Sequence, residues 1–272
     1  MTDNFSMTLN NGVKMPHLGL GVYDMYGRET ETAVHMALEI GYRLIDTASM
    51  YGNEKEVGQA VRHSGVLRGD IFVTTKLNNT DHGYDEALRA FEKSERLLDI
   101  GHIDLFLVHW PIKGKRKESW KALEKLHEEK RVRAIGVANY MEPFLDELST
   151  YANIVPAVNQ VEYSPYLNRK SLLARCRKDG IVLQAYTPLS RGRRLSDPRL
   201  LALAEKYGKG PAQVTLRWLV QRGICPIPKS VNRPRLLENI SVFDFNLDTA
   251  DLELMREWDE NLAICGDPMA HF

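Results

Sequence analysis

The stretch GYRLIDTASMYGNEKEVG, residues 41–58, contains the unit from which the fold can be inferred. A short apolar run, residues 42–45, is typical of a buried strand and stops at the carboxylate of Asp46. Tyr51 and a Gly-Asn-Glu turn follow, and a helical pattern then begins. The stretch therefore predicts a strand, a loop and a helix, with a candidate functional site built where the strand ends.

Similar units recur along the chain. The eight strand-like runs are 18–22, 42–46, 71–76, 103–110, 133–139, 157–162, 181–186 and 224–228. Helix-like segments with apolar residues at three- and four-residue spacing lie between them, for example 32–41, 84–98 and 119–132. Several runs are continuously apolar, which is typical of parallel strands buried on both faces. Eight repeats in about 250 residues predict an α/β fold, a (β/α)8 TIM barrel; a doubly wound sheet is the alternative, but it usually has fewer strands.

The first residues carry a different signal. The segment MTLNNGVKM, residues 7–15, has two short arms around Asn11-Gly12, which is the strongest short hairpin signal. We therefore expect an N-terminal β-hairpin before the barrel. Because no long Pro/Ser/Gly linker interrupts the chain, residues 1–272 are predicted to form a single domain.

Composition excludes several classes of function. Lys plus Arg and Asp plus Glu both number 36, so the formal net charge is zero and no basic footprint predicts nucleic-acid binding. No apolar run approaches the ~20 residues of a membrane span, and no signal-peptide pattern opens the sequence. The 3 cysteines form no CxxC pair and no zinc-type cluster, which predicts no metal and reduced thiols in a cytoplasmic protein. No heptads or self-pairing edge are visible, so a monomer is expected.

Polar residues gather where the strand-like runs end. Asp46, Lys76 and His109 end three successive runs, and Tyr51 lies in the loop after the first of them. The later runs end in or near Asn139, Gln160, Tyr186 and Lys229. Each of these residues alone could be a cap, a solvated strand end or a core histidine. Residues that served only stability, however, would not favour the C-terminal rim of a barrel. Barrel enzymes carry their active sites at that rim.

The first four residues suit the delivery of a proton to a carbonyl oxygen. A phenol with a pKa near ~10 is a poor acid, and we expect the ammonium of Lys76 to lower the pKa of Tyr51. A two-unit shift corresponds to roughly 2.7 kcal/mol, and an ion at ~4 Å supplies about 4 kcal/mol before desolvation. Asp46 would keep the lysine charged, and a neutral His109 would orient the carbonyl.

A phosphate-binding signal lies after the last strand-like run. The sequence contains neither a GxGxxG fingerprint nor a GxxxxGK[ST] loop. The segment IPKSVNRPRLLEN, residues 227–239, instead places Lys229, Ser230 and Arg235 where a helix opens near Pro234. Cationic side chains and backbone amides at a helix start form an anion site.

With these motifs in view, the chain resembles the aldo-keto reductase family over essentially its whole length. The motifs that carry the resemblance are GYRLIDTASMYGNEKEVG, IDLFLVHWP, VRAIGVANY, VNQVEYSPY, LQAYTPLS and IPKSVNRPRLLEN. The resemblance implies an NADPH-dependent barrel with the catalytic tetrad Asp46, Tyr51, Lys76 and His109. The sequence as a whole resembles the short prokaryotic-type members of the family, such as glyoxal/methylglyoxal and 2,5-diketo-gluconate reductases.

The same resemblance implies a cofactor site and a substrate site. Asn139 and Gln160 would hold the nicotinamide carboxamide, and Tyr186 would stack on the ring. Lys229, Ser230 and Arg235 would hold the 2′-phosphate. The full implied cofactor set is Gly21, Val22, Asp46, Asn139, Gln160, Tyr186, Leu189, Lys229, Ser230, Val231, Arg235, Glu238 and Asn239. The implied substrate set is Tyr51, His109, Trp110 and Tyr23.

Some features depart from the family pattern. Asn78 stands where many members have a Trp, which removes an aromatic wall of the substrate pocket. The loop 111–119 and the tail after Trp258 are short, and both predict an open pocket. The basic run KGKRK, residues 113–117, is expected to be a solvated loop, whereas RGRR, residues 191–194, is expected to lie near the cofactor pyrophosphate.

The sequence therefore predicts NADPH-dependent reduction of aldehyde or ketone carbonyls of small molecules to alcohols, with Tyr51 as the proton donor. Two alternatives remain open. The chain could be a non-catalytic sensor or scaffold that binds NADPH, or a Schiff-base lyase that uses Lys76 as its nucleophile.

Overall fold

The N-terminal hairpin is present. The computed structural model describes residues 6–271, and its first two strands are β1 (Ser6–Thr8) and β2 (Lys14–Pro16), paired antiparallel. Gly12 turns the chain with a φ of 85°, a left-handed conformation that glycine adopts without steric cost. Leu9 and Met15 pack with the apolar residues of the lower barrel interior, so the hairpin covers one end of the barrel.

Each of the eight predicted runs contains a barrel strand. They are β3 (Leu20–Gly21), β4 (Leu44–Asp46), β5 (Phe72–Leu77), β6 (Ile103–Val108), β7 (Val132–Ala138), β8 (Val158–Glu162), β9 (Val182–Tyr186) and β10 (Cys225–Pro226). All neighbours are parallel, and their order in the sheet follows the chain. This arrangement confirms the predicted α/β barrel and excludes the doubly wound order.

Two backbone hydrogen bonds join the first barrel strand to the last. The amide of Gly19 donates to the carbonyl of Pro226 at 3.1 Å, and that of Gly21 donates to Pro228 at 3.3 Å. A Cβ atom on Gly21 would lie only 2.9 Å from the carbonyl oxygen of Ile227. The close approach of the two strands therefore requires glycine here, and it closes the sheet into a barrel.

The helices surround the strands. Within residues 6–271 they are α1 (Arg28–Glu39), α2 (Glu54–His63), α3 (Tyr84–Leu98), α4 (Arg116–Glu128), α5 (Glu142–Ser149), α6 (Lys170–Lys178), α7 (Pro198–Tyr207), α8 (Pro211–Gln221), α9 (Arg233–Ile240) and α10 (Thr249–Arg256). None of these described helices is both long and apolar enough to cross a membrane.

The prediction of a solvated loop at residues 113–117 is wrong for Arg116. Helix α4 begins at this residue, and only 6% of Arg116 is exposed. Its guanidinium donates to the carbonyl of Pro111 at 2.8 Å and to Glu147 Oε1 at 3.0 Å. The carboxylate of Glu147 on α5, 31 residues away along the chain, thus pairs with this arginine and keeps its guanidinium out of solvent.

The barrel interior changes from apolar to polar along the strands. Because side chains two residues apart in a strand share a face, Leu44 and Asp46 both point to one side of the sheet. Leu44, Phe72 and Val158 belong to one buried apolar cluster, whereas Asp46 and Gln160 lie two residues further towards the C-terminal rim. The apolar layers are therefore a floor beneath a polar rim.

The opposite rim carries a buried carboxylate that holds three strands. Asp104 on β6 accepts from the amide of Val73 on β5 at 2.8 Å and from Arg133 on β7 at 2.7 Å. Arg68 and His102 also contact it, at 2.7 and 3.3 Å. Burial alone would raise the pKa of Asp104, but these hydrogen bonds and cations outweigh it and lower the pKa below 3.8.

We expect Asp104→Asn to lower the free energy of unfolding by about 3 kcal/mol, since it removes one partner of a buried ion-pair network. The folded-state pKa is depressed, so this stabilisation is complete above the unfolded pKa. It is lost as the pH falls below about 4. Denaturant unfolding at pH 7 and at pH 3 measures both effects. Asp146→Asn, at a 66% exposed carboxylate, is the matched control, and equal losses in the two variants would contradict the prediction.

Candidate active site

A cleft of about 870 Å³ opens at the C-terminal ends of the strands, within the size range of small-molecule sites. Fifteen of the residues predicted from the sequence line it. They are Gly21, Tyr23, Asp46, Tyr51, His109, Trp110, Asn139, Gln160, Tyr186, Leu189, Lys229, Ser230, Arg235, Glu238 and Asn239. The barrel therefore brings residues from seven of the eight strands, or from the loops that follow them, into one cavity; β5 and its loop contribute none.

Lys76 lies beneath this cleft with no exposed surface. Its Nζ donates to Asp46 Oδ1 at 2.6 Å, to the carbonyl of Thr47 at 2.8 Å and to the phenol oxygen of Tyr51 at 3.3 Å. An ammonium group has three N–H donors, and these three acceptors use all of them. The geometry is that of a charged lysine whose every proton has a partner.

Burial and ion pairing shift the pKa values of Asp46 and Lys76 in opposite directions. Burial raises the pKa of Asp46 and lowers the pKa of Lys76, while the attraction between the two groups opposes both shifts. The second carboxylate oxygen of Asp46 accepts from Gln160 Nε2 at 2.6 Å, and the same amide nitrogen donates to Gln184 Oε1 at 2.6 Å. The carboxylate is thus held from both sides by strands β5 and β8.

Tyr51 ends a short 3₁₀ turn, Ser49–Tyr51, that follows β4. The hydroxyl of Ser49 donates to the carbonyl of Lys76 at 2.8 Å, which fastens this turn to β5. Because the phenol oxygen accepts from Lys76, the phenol keeps its own proton for donation into the cleft.

The expected lowering of the phenol pKa is not found. Removal from water, followed by the charge of Asp46, raises the pKa of Tyr51 well above 10. The figure of about 4 kcal/mol for one lysine does not include desolvation, and the desolvation of the phenolate outweighs the attraction of Lys76. The structure therefore gives a fully protonated Tyr51 at neutral pH.

His109 follows β6 and lies beside the phenol, with ring centroids 5.7 Å apart. Burial, together with the charges of Lys76 and His82, lowers the pKa of His109 well below 6.5. Its Nδ1 is buried and has no hydrogen-bond partner within residues 6–271. The imidazole at the cleft is therefore neutral.

Asn139 connects the histidine to the next part of the rim. Its backbone has a φ of 63°, a left-handed conformation that Asn tolerates better than most residues. The side-chain Nδ2 donates to the carbonyl of His109 at 2.9 Å, and Oδ1 accepts from the phenol of Tyr186 at 2.8 Å. This amide fixes the position of His109 and of the Tyr186 ring.

Cationic side chains lie where α9 begins, as the segment 227–239 predicted. Asn232 caps the helix by accepting from the amide of Arg235 at 3.1 Å. Ser230 Oγ accepts from the amide of Asn232 at 3.1 Å. Lys229 reaches across the cleft, where its Nζ donates to the carbonyl of Asp24 at 2.6 Å. The end of the cleft next to α9 is therefore polar and carries the cationic side chains of Lys229 and Arg235.

Comparison with known proteins identifies the family. The sequence profile of the Aldo/keto reductase family matches residues 17–260. The chain belongs to this family. Morphine 6-dehydrogenase of Pseudomonas putida is 47% identical, with 96% of this chain and 94% of that protein covered. Glyoxal reductase of Bacillus subtilis (strain 168) is 46% identical, with 91% and 90% covered. The crystal structure of a point mutant of Gox0644 in complex with NADPH has a TM-score of 0.93, 40% identity and 97% coverage of both chains.

Some residues of this aldo/keto reductase lie elsewhere than the sequence suggested. Val22 is fully buried and Val231 is 44% exposed, and neither lines the cleft. Asn78 accepts from the amide of Asn79 at 2.7 Å, so it caps a turn. Within the run 191–194 only Arg191 and Gly192 line the cleft. Arg194 pairs instead with Glu260 at 2.7 Å.

The sequence analysis missed the C-terminal tail. It predicted that a short tail after Trp258 leaves the pocket open, but Cys265 and Gly266 line the cleft. Asp24 and Met50 also line the cleft, and no role was predicted for either. Only the acidic Glu162 within VNQVEYSPY could have signalled the position of the tail, since its buried carboxylate contacts residues 264 and 265.

We expect His109 to stay neutral between about pH 5.5 and 7.5, because burial and the Lys76 ammonium lower its pKa well below 6.5. The ring Cε1–H signal in proton NMR measures this, and it is identified as the signal that His109→Gln lacks. The signal should not move over that pH range. A titration centred near 6.5 would contradict the assignment.

Proposed function

We propose that this chain reduces aldehyde or ketone carbonyls of small molecules with NADPH, and that Tyr51 gives the proton. The observation that carries the proposal is the hydrogen bonding of Lys76, whose three donors are fully used. This arrangement turns the phenol proton of Tyr51 towards the cleft and leaves no basic amine there.

The residues in the cleft fit a nicotinamide dinucleotide. The Oε1 atom of Gln160 takes part in neither of the bonds made by its amide nitrogen, so it can accept from a carboxamide. Tyr186 offers a half-buried aromatic face at the end of β9, where a nicotinamide ring can stack. Lys229, Ser230 and Arg235 would hold the 2′-phosphate, with Glu238 and Asn239 beside the adenine. When bound, NADPH supplies the hydride to the carbonyl carbon.

The proton follows a separate path through the chain's own residues. A neutral His109 has one N–H to donate to the carbonyl oxygen, which orients the substrate. Charge develops on that oxygen as the carbon is reduced, and Tyr51 donates its proton to it. An alkoxide is a far stronger base than a phenolate, so a phenol with a raised pKa still transfers its proton. The ammonium of Lys76 stabilises the phenolate that remains.

The two alternative functions have less support. A Schiff-base lyase needs a neutral, accessible lysine, whereas Lys76 is buried and paired with Asp46 at 2.6 Å. A sensor that only binds NADPH needs no proton donor, so it leaves the geometry around Tyr51 unexplained. Loss of absorbance at 340 nm when NADPH is mixed with a panel of small aldehydes is expected only of the reductase. Without such loss, fluorescence quenching on NADPH binding would favour the sensor, and no binding at all would favour the lyase.

Similarity to relatives does not identify the physiological substrate. One relative at 46% identity is named for glyoxal and another at 47% for morphine, so closely related chains carry substrate names of different size and shape. We therefore propose small carbonyl compounds as a class. The expectations of a single domain over residues 1–272, a monomer and a cytoplasmic location stay predictions.

Tyr51→Phe should lower kcat by about 10³-fold, within the range expected when a general acid is removed. The NADPH dissociation constant should stay within about twofold, because the phenol is proposed to act on the substrate oxygen. Steady-state kinetics and fluorescence titration measure the two quantities. Tyr26→Phe is the matched control, since Tyr26 is 66% exposed and lies outside the cleft lining. Full turnover by Tyr51→Phe would refute the acid assignment.

Four single substitutions test how the cofactor is held. Lys229→Gln or Arg235→Gln should raise the NADPH dissociation constant about tenfold and leave that of NADH unchanged, because NADH lacks the 2′-phosphate. Arg191→Gln should weaken both cofactors if this side chain lies near the pyrophosphate. Arg193→Gln, from the same basic run but outside the cleft, should change neither. Equal losses for NADPH and NADH in the first two variants would remove the 2′-phosphate assignment.

A further inference from the structure

The chain segment after α10 returns to the active-site cleft. We call residues 259–267 the strap. The strap starts beside Trp258, whose ring stacks on Tyr166 at a centroid distance of 5.9 Å. The amides of Glu260 and Leu262 both donate to the carbonyl of Tyr166, at 3.1 and 2.9 Å. The first half of the strap is therefore attached to the loop that follows β8.

One buried carboxylate fastens the second half. Glu162 is the last residue of β8 and is 4% exposed. Its Oε1 accepts from the amide of Ile264 at 2.8 Å, and its Oε2 accepts from the amide of Cys265 at 3.0 Å. A carboxylate makes stronger hydrogen bonds to amides than a neutral acceptor does. Glu260 of the strap also forms ion pairs with Arg194 and Arg199. Both pairs are partly exposed, and exposed ion pairs contribute little to stability.

The part of the strap that Glu162 holds is the part that lines the cleft. Cys265 lies beside Thr187, with Sγ 3.8 Å from Oγ1, and both residues line the cleft. Gly266 faces the indole of Trp110, because a Cβ atom there would lie 3.7 Å from Cη2. The strap and Trp110 therefore bound one side of the cleft in which the tetrad lies.

We infer that Glu162 is a positioning residue that sets the substrate wall by clamping residues 264 and 265 over the cleft. The inference rests on the proposed function only in naming the occupant of the cleft as a carbonyl substrate. Within residues 6–271, Glu162 makes no hydrogen bond to any of the four tetrad residues, and its carboxylate acts through the strap. The clamp should therefore affect substrate affinity and leave the chemical step in place.

The strap contains a native reporter of its own position. Cys265 is partly exposed, whereas Cys176 and Cys225 are buried, so alkylation at each thiol can be followed separately by mass spectrometry. Glu162→Gln keeps the size of the side chain but turns an amide NH₂ group towards one of the two backbone donors. We expect iodoacetamide to modify Cys265 at least about fivefold faster in this variant. Glu257→Gln, on the exposed side of the chain and next to the strap, is the matched control.

Equal rates at Cys265 in wild type and Glu162→Gln would overturn the clamp. A parallel rise at the buried Cys176 and Cys225 would also overturn it, since that pattern means general unfolding. This assay needs no turnover. If the wild-type protein failed to oxidise NADPH with any aldehyde, the proposed function would fall while the labelling result still decided the clamp.

Kinetics separate positioning from a general structural role. In Glu162→Gln we expect the KM for benzaldehyde to rise about tenfold, while kcat and the NADPH dissociation constant stay within about twofold. A purely structural role would lower kcat and cofactor affinity together with the Tm. An unchanged KM, or a matching fall in cofactor affinity, would contradict the inference.

A second variant tests the wall without touching Glu162. Gly266 does not have a left-handed φ, so Gly266→Val is allowed by the backbone and adds two methyl groups towards Trp110. We expect KM for benzaldehyde to rise at least about fivefold more than KM for acetaldehyde, because only the larger substrate needs that space. Equal changes for the two aldehydes would show that the strap is not a substrate wall.

Discussion

The site depends on a buried ammonium that has no access to water. An ion transferred from water into the interior costs several kcal/mol unless partners replace its hydration. Lys76 obtains three such partners, and they come from the end of β4, from the residue after it and from the turn that carries Tyr51. Because all three acceptors bind one nitrogen, the loop that carries Tyr51 is held against strands β4 and β5. The phenol of Tyr51 is therefore oriented by the same contacts that make the buried charge tolerable.

The rest of the barrel supports that cation from below and from the side. The apolar layer that contains Leu44 and Phe72 excludes water from beneath the polar rim, which strengthens every electrostatic contact above it. Gln160 and Gln184 extend the hydrogen bonding of Asp46 to strands β8 and β9. At the opposite rim Asp104 joins three strands with no link to the cleft. Buried carboxylates thus tie neighbouring strands together at both rims of the barrel.

Local sequence pattern was enough to locate most of this arrangement. The strand-like runs ending in Asp46, Lys76 and His109 became neighbours because a barrel places all such ends on one rim. Features set by contacts distant in sequence were not predictable. Arg116 is buried against Glu147, 31 residues further along the chain, and the strap is hydrogen-bonded to Glu162, 103 residues before Cys265. The predicted lowering of the pKa of Tyr51 was wrong for a related reason. Burial raises this pKa, and the burial of the phenol depends on every element around it.

The cleft is built from two kinds of chain segment, strand ends and loops. Asp46 and Lys76 come from strand ends, whose positions are fixed by ladder hydrogen bonds on both sides. The side of the cleft that Trp110 bounds comes from loops and from the strap, whose attachment to the barrel is a few hydrogen bonds to Tyr166 and Glu162. A substitution in the strap can reshape the wall without moving Lys76. Relatives 47% and 46% identical to this chain carry substrate names of different size and shape, and a wall held by so few hydrogen bonds is a part of the cleft that can vary while Lys76 stays in place.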